Sequence, residues 1–229
     1  MREALQIGSW AVGLCLNALV ISALLRGVYR RYPFVFAYAV ALLFSTIIEI
    51  ASRQFPPTVR ANYYWTDEII LDVLVFCVVI AFIDEAARHS KQRVIERHWL
   101  VLASAVICVV SYNIHQGPHF NRTMTLISRD LNICAVFLDL LLWSLLLAAR
   151  RADRQLLLLS GGLGLQLTGA IMGEQLRQLS RSLYLSGTML EVSTGLLGMY
   201  VWWRALRATP ALSFNPIKKG GSPREPTRY

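Results

Sequence analysis

Charge is scarce in this sequence, and lysine is nearly missing from it. Charged residues make up 16% of the 229 residues and hydrophobic ones 55%, with a mean hydropathy of +0.46. A soluble domain carries about 25% charged residues. The shortfall takes the form of long apolar blocks separated by short charged ones, which is the pattern of a membrane protein. At about 20 residues per span, seven spans consume most of the length, and no separate soluble catalytic domain is expected.

The other shortages exclude particular chemistries. The three lysines, Lys91, Lys218 and Lys219, fall between or after the apolar blocks. A retinal Schiff base needs a lysine inside the last helix, so a photoreceptor or light-driven pump is excluded. The four histidines, His89, His98, His115 and His119, sit at or beyond span ends, which excludes haem held between two histidines within the bilayer. Walker A, His-Glu-x-x-His and Gly-x-Ser-x-Gly patterns do not occur. The motifs that intramembrane aspartyl proteolysis would require are missing around Asp72 and Asp139. The four cysteines, Cys15, Cys77, Cys108 and Cys134, fall inside expected spans without zinc or disulfide spacing, and read as small apolar core residues. His115 and His119 have i, i+4 spacing, but Gly117 and Pro118 between them argue for a turn rather than a metal site. The sequon Asn121-Arg122-Thr123 has meaning only in a secreting eukaryote. The expectation is a protein without enzyme activity, cofactor or metal.

What is present is a series of apolar blocks, expected to form spans over 5–25, 34–52, 64–86, 99–114, 126–148, 155–176 and 183–205. The first could be mistaken for a signal peptide, but Arg26, Arg30 and Arg31 follow its apolar run, and it reads as an uncleaved anchor. Sixteen lysines and arginines fall in one set of alternating loops and the C-terminal end, and seven in the other set. The positive-inside rule makes the richer set cytoplasmic. The fold class is therefore all-α, a polytopic seven-helix transmembrane bundle over residues 1–207 with the N-terminus outside. Residues 208–229, basic and rich in proline and glycine, form an expected flexible cytoplasmic tail that orients the chain or touches anionic lipid or a partner. The net charge of +9 is distributed by side of the membrane rather than along a groove-reading element, so no nucleic-acid partner is expected.

A faint repeat of 62 residues links Arg53-Gln54, His115-Gln116 and Arg177-Gln178, and again Ala86-Ala87-Arg88 and Ala148-Ala149-Arg150. It suits one helix followed by three helical hairpins. In the sixth span, Gly169 and Gly173 form a Gly-xxx-Gly pair, which reads as close packing within the chain.

Seven acids belong to the expected outer half of the bundle: Glu49, Asp67, Glu68, Asp72, Asp130, Glu174 and Glu191. The expected cytoplasmic halves are almost wholly aliphatic and aromatic until Asp84 and Glu85. That asymmetry describes a polar cup open to the outside over an apolar floor. Glu49 with Arg53, and Glu174 with Arg177, are spaced for same-face ion pairs. Asp67 is placed to sit near a helix N-terminus. Asp72 and Glu191 each lie about 12 Å into their spans at 1.5 Å per residue. Glu68 and Asp72 share a face that Trp65 extends outward, with Tyr64 beside it. Such a cluster either keeps a proton or holds a cation, and hydrogen bonding to serine, threonine or asparagine on other helices is the competing explanation. Asp139, past the midplane, pairs in expectation with Asn17 and Gln166 in a central polar network, or else makes a protonated packing contact.

The segment Tyr32-Pro33-Phe34, Tyr38, Tyr64-Trp65 and Glu68 resembles small seven-helix bacterial membrane proteins of unassigned function, over residues 32–72. The resemblance implies a multi-pass protein of a bacterial cytoplasmic (inner) membrane and nothing catalytic. The leading expectation is a receptor-like sensor or binding module in the lipid bilayer. Its cup, lined by Glu68, Asp72 and Glu191 with Trp65 and Tyr64 at the mouth, takes a small polar or cationic ligand, and a cytoplasmic protein partner carries the signal. The alternatives are a proton- or cation-coupled transporter using Asp72, Asp139 and Glu191, and a non-catalytic assembly or accessory subunit.

Overall fold

The computed structural model describes residues 2–52, 54, 56–86, 120–148 and 153–207, with five further positions between 106 and 114. Among the described residues the chain is helical, with six long helices and no strand. These are α1 (Arg2–Leu25), α2 (Pro33–Ser52), α3 (Pro57–Ala86), α4 (Phe120–Ala148), α5 (Arg154–Leu179) and α6 (Tyr184–Arg207). The expected span 99–114 falls largely outside the described residues, as do His115, His119 and the tail 208–229.

Local chemistry sets the ends. Pro33 and Pro57 open α2 and α3, at the position where a missing N–H costs nothing. Gly27 stops α1 with φ 115°, a left-handed conformation that favours glycine, and its N–H donates to the Leu24 carbonyl at 3.2 Å. Asp153 caps α5, accepting from the Gln155 and Leu156 N–H groups at 2.9 and 3.4 Å. Ala86 and Ala148, 62 residues apart, are the last residues of α3 and α4. Both of those helices begin six or more residues before the expected spans. Their opening turns are too polar to register as membrane-spanning sequence.

The helices form a closed ring: each packs on the next in order, and α6 returns to pack on α1. The α5–α6 contact is the most extensive, and α3 also reaches α5 across the ring. Glycine explains the close α5–α6 approach. A Cβ on Gly162 would stand 2.5 Å from Trp202 Cδ1 and 3.0 Å from the Gly198 carbonyl oxygen, and one on Gly173 would stand 2.7 Å from the Gly187 oxygen. Gly169 faces Thr194 equally tightly. The small-residue pair at 169 and 173 thus packs within the chain.

Three helices are long and apolar enough to cross a membrane: Ile7–Leu25 of α1, α2 and α5. An apolar core is combined with a few buried polar groups and with many large apolar side chains on the outside. On α4, Asp139 is 3% exposed while Phe137 is 67% exposed; on α3, Asp72 is buried while Ile70 and Val73 are exposed. Polar groups face the ring interior and bulky apolar ones face outward, which suits hydrocarbon surroundings. The interior is otherwise apolar, with Val20, Val79, Phe82, Leu142, Leu163 and Trp202 fully buried.

Arg31 ties one end of the ring together. Its Nε donates to Glu85 Oε1 at 2.9 Å and its Nη2 to Asp153 Oδ2 at 2.7 Å, so the α1–α2 corner, the end of α3 and the start of α5 meet there. The guanidinium also lies 5.2 Å from the Tyr32 ring centroid. Burial works against its charge, but the hydrogen bonds to Glu85 and Asp153 and the field of Tyr32 outweigh that and hold its pKa above the usual arginine value.

Candidate functional site

The opposite end of the ring gathers acids. Glu68 and Asp72 lie one turn apart on the inward face of α3, continued by Val75 and Val79. Facing them on α4 are Ser128 and Asn132, also one turn apart and in register with Ala135 and Asp139. Ser128 Oγ donates to Glu68 Oε1 at 3.3 Å. Ser128 and Asn132 also approach Asp72, whose carboxyl is 6% exposed, yet its Oδ2 is buried with no hydrogen-bond partner. Tyr38 of α2 is buried in the field of both carboxylates, its ring against Trp202 with centroids 5.8 Å apart.

Glu191 belongs to the same end but not to the same pair. It forms an ion pair with Arg177 across the α5–α6 interface. This corrects the expected Glu174–Arg177 pair: Glu174 instead accepts from Gln178 Nε2 at 3.0 Å. The antiparallel crossing at Gly173 and Gly187 brings Arg177 closer to α6 than sequence spacing reveals. Tyr64 is exposed, stacks edge-on against half-buried Trp65 with centroids 5.2 Å apart, and lies in the field of Glu68, Glu191, Arg177 and Glu174. The expected mouth and lining residues therefore converge on one end, with Glu191 already matched by a resident cation. Among the described residues no cation pairs with Glu68 or Asp72; Arg129 is drawn to Asp130 at 3.6 Å.

Asp67 does not sit near a helix N-terminus. Helix α3 begins at Pro57, and Asp67 accepts from Ser45 Oγ of α2 at 2.5 Å. It is a helix-to-helix fastening rather than a charge on a helix dipole.

Deeper in the ring, Asp139 presses against the α5 backbone at Gly164, where a Cβ would collide with its Oδ2. Ser160 of α5 lies beside it. Asp139 Oδ1 and Ser160 Oγ are both buried without a hydrogen-bond partner. Asn17 Oδ1 and Gln166 Nε2 are in the same condition, and Gln166 packs instead against Gly198 of α6. Among the described residues no hydrogen bond joins Asn17, Asp139 and Gln166.

Ser128, Asn132 and Ser160 escaped the sequence reading, and Tyr38 entered it only through the resemblance, not as a site residue. The two on α4 carried a usable signal, since positions 128, 132, 135 and 139 repeat at the spacing of one helix face. Tyr38 and Ser160 carried none beyond their place in apolar spans. Among the described residues no group of three or more histidine, cysteine or acidic side chains is arranged to hold a metal ion. Compared with known proteins, the chain matches no family model, no curated protein and no solved structure.

Proposed function

We propose that this chain is a seven-helix, multi-pass protein of a bacterial inner membrane, N-terminus outside and C-terminus cytoplasmic. It acts as a receptor-like sensor or binding module. The acid-rich end is an outward-facing cup for a small polar or cationic ligand, and the Arg31 end faces the cytoplasm. The observation that carries this reading is Asp72: a buried carboxyl with an unpartnered oxygen, beside Glu68, with no described cation to match either. An unsatisfied group of this kind costs about 1–3 kcal/mol, and more when charged, and a ligand offering a donor removes that cost. The uneven distribution of basic residues supports the orientation, and the resemblance over residues 32–72 supports the bacterial setting.

A thiol-accessibility experiment tests both claims. Cys15, Cys77, Cys108 and Cys134 are replaced by alanine, and Asp72→Cys is introduced. A membrane-impermeant cationic thiol reagent added outside intact cells should modify position 72, and faster than an anionic reagent of equal size because Glu68 attracts it. Modification only from the cytoplasmic side, or by neither reagent, would refute the outward cup.

One observation favours the carrier alternative. Asp139 Oδ1 and Ser160 Oγ are two further buried oxygens without a hydrogen bond, beyond Asp72 Oδ2 along the ring interior, as a relay of protons or cations would need. Proton flux in reconstituted vesicles that disappears in Asp139→Asn would favour that reading over binding alone.

A further inference from the structure

We propose that the ligand of the cup is an organic ammonium ion with at least one N–H, carrying a short apolar or aromatic tail. The inference rests on the outward-cup reading and adds the chemistry of what fills it.

The first argument is the demand at Asp72. Its Oδ2 is buried without a hydrogen bond although Ser128 and Asn132 lie beside the carboxyl, and an ammonium N–H brings charge and donor together. Glu68, one turn away, is spaced to take a second N–H of the same group, with its other interaction already made by Ser128. The second argument concerns metal ions. Hard divalent cations take about six to eight oxygens. The residues around Asp72 supply two carboxylates, an asparagine amide and a serine hydroxyl that already donates to Glu68, so six oxygens would require both carboxylates to be bidentate, and no group of three or more acidic, histidine or cysteine side chains is assembled there among the described residues.

The third argument is the aromatic surround. Tyr64 and Trp65 lie one helical turn outward from Glu68 and two from Asp72, and Tyr38 lies in the field of both. Ring faces attract an organic cation and also hold its apolar tail. The fourth is a precedent within the site itself. Arg177 satisfies Glu191 with N–H donors. That end of the ring therefore already holds one nitrogen cation on one carboxylate, while among the described residues no cation pairs with Glu68 or Asp72.

The test uses the full chain in nanodiscs of zwitterionic phosphatidylcholine, which removes competition from anionic lipid. Probes are phenethylammonium, its neutral analogue 2-phenylethanol, tetramethylammonium, and calcium. Tryptophan fluorescence and the thermal unfolding midpoint are both followed. Phenethylammonium should change both saturably, and 2-phenylethanol should not. Tetramethylammonium, which has neither an N–H nor a tail, should bind at least roughly tenfold more weakly, as loss of a charged hydrogen bond alone already implies. Glu68→Gln and Asp72→Asn should each weaken phenethylammonium by a similar factor, while Arg204→Gln at the far end leaves it unchanged. Glu68 is only half-buried, so its variant keeps the test decisive if Asp72→Asn does not fold. Equal binding of 2-phenylethanol or tetramethylammonium overturns the proposal, as does a phenethylammonium response indifferent to both acids. A response to calcium alone that depends on Asp72 overturns the ammonium assignment and leaves the cup standing. No response to any probe overturns the ammonium assignment, and an unreactive cysteine at position 72 besides removes the cup as well.

Discussion

Gly162→Ala should loosen the α5–α6 contact, and the cost can be worked from the geometry. The new methyl would lie 2.5 Å from Trp202 Cδ1, 2.8 Å from its Nε1 and 3.0 Å from the Gly198 carbonyl oxygen. Neither neighbour yields easily: Trp202 is fully buried, and the oxygen belongs to the α6 backbone. Overpacking of this kind costs about 1–3 kcal/mol. Moving the indole also weakens the hydrogen bond from Trp202 Nε1 to the Leu159 carbonyl, now 2.7 Å and worth about 0.5–1.5 kcal/mol. Alanine returns up to about 1 kcal/mol through helix propensity, leaving a net loss of roughly 1–3 kcal/mol. Unfolding in mixed micelles of mild detergent and sodium dodecyl sulfate, followed by tryptophan fluorescence, measures it. Gly195→Ala is the control, because a Cβ there meets nothing within 4 Å. If the two variants unfold at the same dodecyl sulfate fraction, close glycine packing does not hold α5 to α6. Trp202→Phe combined with Gly162→Ala should cost less than the two changes summed, since both act on one contact.

Three further perturbations separate the polar groups by role. Arg31→Ala should cost about 1 kcal/mol, a modest figure because the side chain is 40% exposed, and the loss should shrink at high salt; a salt-independent loss would show that packing on Tyr32 matters more than charge. Gly27→Ala forces a side chain into φ 115° and should cost about 1 kcal/mol in the same unfolding assay; an unchanged midpoint would mean that the α1–α2 corner relaxes without penalty. Asp72→Leu should leave stability unchanged or raise it by about 1–3 kcal/mol, by removing an unsatisfied buried group, while abolishing ligand binding. A large destabilisation of the ligand-free protein would identify the carboxylate as a structural group.

The six described helices were legible because apolar runs interrupted by arginine clusters are what helices able to enter hydrocarbon require. The polar openings of α3 and α4 were not, although Pro57 marked the first of them. The acids at one end were also visible, since Glu68, Asp72 and Glu191 stand out against aliphatic spans. Their partners were hidden, because partner choice is decided across helices. Arg177 is three residues from Glu174 and fourteen from Glu191 in sequence, yet the α5–α6 approach gives it to Glu191. Asp67 likewise turned to Ser45 rather than to its own helix terminus. Spacing rules within one helix describe an isolated helix. The small-residue faces that set inter-helix distance redirect those choices.

The two ends of the ring treat their acids differently, and the contrast separates fastening from function. At the Arg31 end, Glu85 and Asp153 share one guanidinium, and Asp153 also accepts two backbone N–H groups at the start of α5. These carboxylates are satisfied, as polar groups kept for architecture must be where water is excluded. At the other end, Glu191 and Asp67 are satisfied in the same way, by Arg177 and Ser45. Asp72 stands apart. It is more deeply buried than any of them, yet an oxygen remains open despite Ser128 and Asn132 beside it. A residue retained only to fix helix packing gains nothing from being left open, because leucine would fill the position at lower cost. The buried Asp72 oxygen that accepts no hydrogen bond, rather than the number of acids around it, is therefore the physical reason to look for a ligand at this end of the ring.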